Sequence, residues 1–238
     1  LYRLSSQNQY ARCIVMFFHL LPAFTSAHFL CIITVNSAKK IHYVRSTGGK
    51  VRAIYSYLLS SIEQDYETVR TLKSSERGCV SLLQNRQNGT RFIFRHYRGN
   101  GEVYRKLLGI SCPNLPQIME AAEQDGMVAV LEEYIQGDSL AYLLEGALFS
   151  PAEARKIALQ LCNALWVLHK LGAVHRDIKP ENVIVRGREA VLIDFDASRI
   201  FKSETNHDTQ ILGTTGYAAP EQYGITQTDE RADIYSLG

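Results

Sequence analysis

No C-x-x-C pair occurs among the five cysteines, Cys13, Cys31, Cys79, Cys112 and Cys162. Their scatter excludes the common zinc modules and a disulfide framework, and it fits a reducing compartment. An excess of charge of one sign is missing too. Lys and Arg number 26 against 24 Asp and Glu, for a formal net charge of +2. That balance excludes the strong basic field of a nucleic-acid binder. Apolar residues make up 46% and charged residues 21% of the 238 positions, ordinary values for one large folded domain or two small ones.

Charge of any sign is absent from Ile14 to Val35, a run long enough to span a bilayer. His19, Pro22, Thr25, Ser26, His28 and Thr34 interrupt it, and no small-residue cleavage site follows. The reading adopted is an irregular leader over residues 1–55, polar and linker-like from 36 to 50, on a cytoplasmic chain. The alternative is a membrane anchor at 14–35. Lys39, Lys40, Arg45, Lys50 and Arg52 follow the run and only Arg3 and Arg12 precede it, so the downstream part is cytoplasmic on that reading as well.

What is present is one dense stretch, His175-Arg176-Asp177-Ile178-Lys179-Pro180-Glu181-Asn182. Pro180 lacks an N–H and disfavours helix at Lys179, so Asp177 to Asn182 is a loop. The apolar run Ala190-Val191-Leu192-Ile193 then reads as a strand ending at Asp194. A hard cation such as magnesium takes oxygen ligands, usually one or two side chains plus substrate phosphates. Asn182 and Asp194 supply such oxygens. Asp177 is left to accept a proton and Lys179 to offset negative charge.

These residues resemble the catalytic loop H-R-D-x-K-P-x-N and metal-binding strand of protein kinases. Gly213-Thr214-Thr215-Gly216-Tyr217-Ala218-Ala219-Pro220-Glu221 resembles the end of a kinase activation segment. Asp233-Ile234-Tyr235-Ser236-Leu237-Gly238 resembles the start of the helix behind it. The resemblance covers about residues 62 to 238. Lysine two places after Asp177 is similar to the serine/threonine branch, and the compact segment before Glu221 looks bacterial. The resemblance implies an α+β, two-lobed fold. A small antiparallel-sheet lobe with one helix would occupy 62–133, and a mainly helical lobe 134–238. Residues beyond the start of the last helix are lacking, so the chain reads as a fragment at both ends.

The resemblance further implies ATP and Mg2+ as cofactors and a protein Ser/Thr hydroxyl as substrate, with no nucleic acid. Asp177 would be the catalytic base, Lys179 would sit by the transferred phosphoryl group, and Thr214 would contact both. Asn182 and Asp194 would hold the metal. Phe195 would pack under the small lobe, Asp233 would brace the catalytic-loop backbone, and Arg176 would meet a phosphate on the hydroxyl-rich segment with Ser203, Thr205 and Thr209.

Several positions depart from the pattern. Lys73 to Val80 falls where a glycine-rich phosphate loop belongs, and only Gly78 and Val80 match it. Arg95, in Phe92-Ile93-Phe94-Arg95, replaces the lysine that pairs with phosphates; Glu102 is its expected carboxylate partner. Glu133 matches the hinge acid that borders the adenine, while Glu132 lands on the position that screens the back pocket. Asp196 stands where the family has glycine, a turn whose left-handed backbone aspartate tolerates. These departures keep open an alternative, a pseudokinase or nucleotide-binding scaffold without turnover.

Local patterning supplies the elements. Tyr55 to Leu72 carries apolar residues at helical spacing and passes into a strand near Tyr66. Cys79 to Leu83 and Arg91 to Arg95 read as strands, as do Gln117 to Ala122 and Met127 to Glu133 around Gln124-Asp125-Gly126. Ser150-Pro151-Ala152-Glu153 is a capping box that opens a core helix ending near Gly172, on which Trp166 and His169 read as packing residues.

Overall fold

A computed structural model describes residues 49–146, 148–201, 214–224 and 228–238. The charge-free run at 14–35 and the hydroxyl-rich segment at 202–213 lie outside the described residues. Among those described, no helix is long and apolar enough to cross a membrane.

The chain begins its described structure with helix α1 (Gly49–Asp65), followed by β1 (Tyr66–Ser75), β2 (Gly78–Asn85) and β3 (Arg91–Arg98). Helix α2 (Glu102–Leu107), β4 (Ile118–Gln124) and β5 (Met127–Glu133) complete the small lobe. Its five strands form one antiparallel sheet in the order β1-β2-β3-β5-β4. The β4–β5 turn uses Asp125 and Gly126 at φ 52° and 75°, the left-handed pair that a two-residue hairpin of matching twist requires. β1 is almost fully exposed along one edge. It is blunted against further pairing by Glu67, Arg70 and Lys73 and by bulges at Thr68/Arg70 and Thr71/Lys73.

Alternation along β3 and β5 gives the sheet two different faces. Phe94, Ala129 and Leu131 point outward and are covered by Tyr55 and Leu58 of α1, with Leu83 and Ala122 in the same cluster. Tyr97, Val128 and Val130 point inward, toward Tyr104 and Leu107 of α2 and the core of the second lobe. The leader boundary expected at residue 55 therefore cuts through a helix that belongs to the small lobe. Its periodicity was readable, but the partner of its apolar stripe is a sheet face formed far along the chain. The Tyr55 hydroxyl and His96 Nε2 share a hydrogen bond of 2.6 Å, and burial lowers the pKa of that imidazole.

The second lobe contains β6 (Asp138–Ser139), α3 (Leu140–Gly146), α4 (Pro151–Lys170), β7 (Ala173–Val174), β8 (Val183–Arg186), β9 (Glu189–Leu192), β10 (Arg199–Ile200) and α5 (Glu230–Leu237). The α4 start is the expected capping box. Ser150 Oγ accepts from the Glu153 N–H at 3.3 Å, and Glu153 Oε2 accepts from the Ser150 N–H at 2.8 Å. Leu161, Ala164, Leu165 and Leu168 bury one stripe of α4 against the core. Trp166 does not join them: it is 62% exposed, with Lys170 over its ring at 4.4 Å. Its place on the helix, one position past Leu165, points it to the wet face. Strands β8 and β9 form a hairpin that delivers the loop before β8 and the residues after β9 to one place.

Leu58 is 1% exposed at the α1–sheet junction. Leu58→Ala should cost about 2–5 kcal/mol in urea unfolding of the full chain, whereas the exposed Tyr57→Ala should stay within about 0.5 kcal/mol. Equal effects from both would remove α1 from the core.

Candidate active site

The loop from His175 to Asn182 is shaped by contacts reaching in from three elements. Asp233 of α5 is fully buried and accepts the His175 and Arg176 backbone N–H groups at 2.9 and 2.8 Å. This is the bracing role expected of it, and it holds Arg176 at φ 69°, a left-handed conformation costly to an unsupported residue. Asp233 also bonds His169 Nε2 at 2.8 Å, so His169 is a polar partner of the brace rather than an apolar packing residue. His175 is fully buried, and desolvation lowers its pKa. Its Nδ1 accepts the Asp177 N–H at 3.3 Å, so the ring proton sits on Nε2 and is given to the Ile193 carbonyl at 3.2 Å. Arg176 Nε donates to the Ala197 carbonyl at 2.9 Å. The segment with Ser203, Thr205 and Thr209, where its phosphate pairing is expected, lies outside the described residues.

Asp177 sits at the centre of a small network. Thr214 Oγ1 donates to Asp177 Oδ1 at 2.7 Å, and Lys179 Nζ lies 2.9 Å from Asp177 Oδ2 and 2.8 Å from Thr214 Oγ1. Asn182 Nδ2 donates to the Asp177 carbonyl at 2.8 Å and to Oδ2 at 3.0 Å. Burial alone would raise the Asp177 pKa, but the bonds from Lys179, Thr214 and Asn182 outweigh it and hold the carboxyl below its ordinary value. Asp177 is thus ionised at neutral pH and is held in one orientation.

The Ile193 N–H donates to the Asn182 carbonyl at 2.9 Å, which carries Asp194 to the same loop. With its amide nitrogen engaged by Asp177, Asn182 presents Oδ1 as a donor atom for a hard cation, and Asp194 presents a carboxylate beside it. Asp194 has φ 68°, so the left-handed residue of this turn is Asp194 and not Asp196, the position expected from the sequence. Phe195 is 1% exposed and meets Tyr104 of α2 and His175 edge-on, at 5.6 and 5.5 Å between ring centroids.

Arg95 reaches this cluster from β3 and is 5% exposed. Its Nε donates to Glu132 Oε1 at 2.7 Å, and its Nη1 donates to Asp194 Oδ1 at 3.0 Å and Asp196 Oδ2 at 3.3 Å. Tyr104 gives its hydroxyl to Asp196 Oδ1 at 2.8 Å. The carboxylate that pairs with Arg95 from the small lobe is therefore Glu132 of β5, and Glu102 does not take that place. Glu102 stands half-buried at the first turn of α2, its N–H capped by Asn100 Oδ1 at 2.7 Å. Desolvation lifts the pKa of Glu132, with Arg95 opposing. Asp196 is raised by desolvation and by the Asp194 charge, against the pull of Arg95. Asp194 itself is held below its ordinary value: burial pushes up, while Arg95, Lys73 and His175 together pull further down.

Of the remaining expected residues, Gly78 and Glu133 stand apart from this cluster, and Val80 borders it. Gly78 pairs with Tyr97 at the end of β2, and a Cβ there would collide with the His96 carbonyl, so the glycine serves the close approach of two strands. The hairpin turn beside it is Glu76-Arg77, with no glycine cradle for phosphates. Val80 lies opposite Arg95 in the β2–β3 register, on the same face. Glu133 is tied to Arg186 at 2.8 Å and to the Gln117 N–H at 3.1 Å. The roles of Glu132 and Tyr104 are new from the structure. The one sequence signal for Glu132 is a pair of adjacent acids in a strand, since alternation forces one of them inward.

A family model for the protein kinase domain matches residues 83–238. A serine/threonine-protein kinase of Clostridium perfringens, named as probable, is 30% identical over 164 residues, covering 65% of this chain and 24% of the relative. The serine/threonine-protein kinase pkn2 of Myxococcus xanthus is 32% identical over 142 residues, 56% of this chain and 17% of its own. The probable kinase PknB of Corynebacterium glutamicum is 35% identical over 114 residues, 46% of this chain and 18% of its own. Sheet, catalytic loop and family match agree, and the chain belongs to the protein kinase family. It spans a quarter or less of the length of these relatives.

Thr214→Val removes one donor to Asp177 while keeping the shape, so the Asp177 pKa should rise toward its ordinary value of 3.8. A depressed carboxylate contributes stability that is present above its unfolded pKa and is lost as pH falls through the folded value. The variant should therefore have a smaller contribution to lose, and its loss on acidification should be complete at a higher pH than in wild type. Carbon-13 titration of the aspartate carboxyls reads the shift, and an unmoved Asp177 would take Thr214 out of the network.

Proposed function

We propose that this chain carries an ATP-dependent serine/threonine protein kinase activity, in which Asp177 accepts the proton of a substrate hydroxyl. The observation that carries the reading is the fixed, ionised Asp177 carboxylate, bonded at once by Lys179, Thr214 and Asn182. Phosphoryl transfer needs positioning and charge neutralisation more than covalent help from the protein. The hydroxyl oxygen forms its bond to the γ-phosphorus as the bond to the β,γ-bridging oxygen breaks, and the proton passes to Asp177. Lys179 stands against the same carboxylate and balances charge at the transfer point. Bound Mg2+ would neutralise the phosphate oxygens, and Asn182 Oδ1 and Asp194 are the oxygens that fit it. Arg95, with Lys73 nearby, supplies the fixed positive charge on the phosphate side.

The Asp177–Lys179 arrangement supports a serine or threonine hydroxyl on a protein as acceptor, with no nucleic acid involved. The free cysteines Cys79, Cys112 and Cys162 support a reducing, cytoplasmic setting for the kinase region. One observation favours the alternative of a nucleotide-binding scaffold: two guanidinium nitrogens of Arg95 are engaged by three carboxylates. That reading predicts nucleotide binding without transfer.

Asp177→Asn keeps the size of the side chain and removes the proton acceptor, replacing one accepting oxygen of the network by an amide donor. In radiolabel transfer to a generic basic protein by the full chain, activity should fall about 10²–10⁴-fold, with a cooperative melt retained. Activity within a few-fold of wild type would end the catalytic role of Asp177.

A further inference from the structure

Arg95 is oriented by a residue of its own sheet. The β3–β5 register sets Ile93 opposite Glu132, so Glu132 shares the inward face with Arg95 and lies diagonal to it. Their contact, Nε to Oε1 at 2.7 Å, is the shortest that the guanidinium makes. Both side chains are removed from water, Arg95 at 5% and Glu132 at 2% exposure. Glu132 Oε2 is buried with no hydrogen-bond partner. The cost of burying this carboxylate is therefore offset by Arg95, and removal of either partner strands a charge in the interior.

We infer that Glu132 is the positioning residue for Arg95, holding its guanidinium toward Asp194 and the phosphate side of the cleft independently of helix α2. The inference rests on the kinase reading for what the cleft binds, while the pairing itself rests on the sheet. A partner on α2 would make the placement of Arg95 depend on how that six-residue helix sits. A partner two positions along the neighbouring strand is fixed by backbone pairing as soon as the sheet forms. Helix α2 acts on the site by another route, through the Tyr104 hydroxyl on Asp196. Arginine suits this geometry where lysine does not, because its fork bonds Glu132 through Nε and the Asp194–Asp196 pair through Nη1 at the same time.

The test is a double-mutant cycle on the full chain, read by thermal melting and by titration with N-methylanthraniloyl-ATP and magnesium. The proteins are wild type, Glu132→Met, Arg95→Met and Arg95→Met with Glu132→Met for the cycle, and beside it Glu132→Gln and Glu102→Gln. Glu132→Gln should weaken the labelled nucleotide about tenfold or more and lower the melting temperature, as should Arg95→Met. The double methionine variant should melt above Arg95→Met, since the Glu132 charge is no longer left stranded, yet it should not regain nucleotide. Glu102→Gln should weaken the labelled nucleotide no more than about twofold, since the guanidinium of Arg95 is bonded by Glu132, Asp194 and Asp196. If Glu132→Gln fails to fold, recovery of the melt in the double methionine variant carries the result, and continued failure there overturns the pairing. Losses in melting temperature that simply add, or a nucleotide loss in Glu102→Gln with none in Glu132→Gln, also overturn it. Wild type that binds the labelled nucleotide without phosphoryl transfer sinks the kinase reading and leaves the pairing standing. Wild type that binds none overturns the phosphate-side role of Arg95.

Discussion

A guanidinium buried where the sheet meets the catalytic loop has to be neutralised in place, because it cannot shed its proton and has no water to rely on. Arg95 meets that constraint with carboxylates from two parts of the chain. Glu132 comes from the strand beside it, and Asp194 and Asp196 come from the segment after β9. The small sheet and the catalytic segment are therefore joined by charge as well as by packing. Beside this pairing runs an aromatic column of Tyr104, Phe195 and His175, which ties α2 to the catalytic loop through edge-on contacts. Tyr104 takes part in both, with its ring on Phe195 and its hydroxyl on Asp196. Displacing α2 would thus disturb the acidic segment before it disturbed Arg95.

The loop itself is held in a shape it would not adopt alone. Arg176 and Asp194 both take left-handed backbone. Strain of that kind persists only where surrounding bonds over-determine it. Here Asp233 fixes two consecutive N–H groups, His175 bridges Asp177 to Ile193, and Asn182 closes the loop from within. The side chains that do the chemistry are few, and most of the named contacts serve to aim them. Within the catalytic segment, left-handed backbone falls at the two positions that place Asp177 and Asp194.

Much of this was legible before any coordinates. The spacing from His175 to Asn182, with Pro180 excluding helix, fixes a loop that presents an acid, a lysine and an amide. The apolar run before Asp194 fixes a strand end. Capping residues placed α4, and Asp125-Gly126 placed a hairpin. Illegible were the facts that depend on register and docking. Nothing local says that Ile93 faces Glu132, so the sequence points to the nearest helix, at Glu102, for the partner of Arg95. Nothing local says that α1 lies on the outer face of the sheet, so its first turns were assigned to a leader. Gly78 looked like half of a phosphate loop, and only the approach of β3 shows that its missing side chain makes room for a carbonyl. The same holds for Trp166, whose exposure follows from the direction in which α4 turns its stripe.

The charge in the cleft is unevenly matched. Three carboxylates face Arg95, with Lys73 close enough to be felt by two of them. Like charges held this near one another in a dry site raise the free energy of their fully ionised state. The protein relieves part of this by raising the pKa of Glu132 and Asp196 while keeping Asp194 ionised. Asp194, the carboxylate whose pKa is held down, follows the strand end whose Ile193 N–H docks on the Asn182 carbonyl. An aspartate in place of glycine after Phe195 thus does more than occupy a turn. It accepts Tyr104 and shares Arg95, so Asp194 is not the sole carboxylate that the guanidinium's Nη1 must satisfy. On the proposed reading, a divalent cation would meet the oxygens of Asn182 and Asp194 in a site where three carboxylates are already set against Arg95.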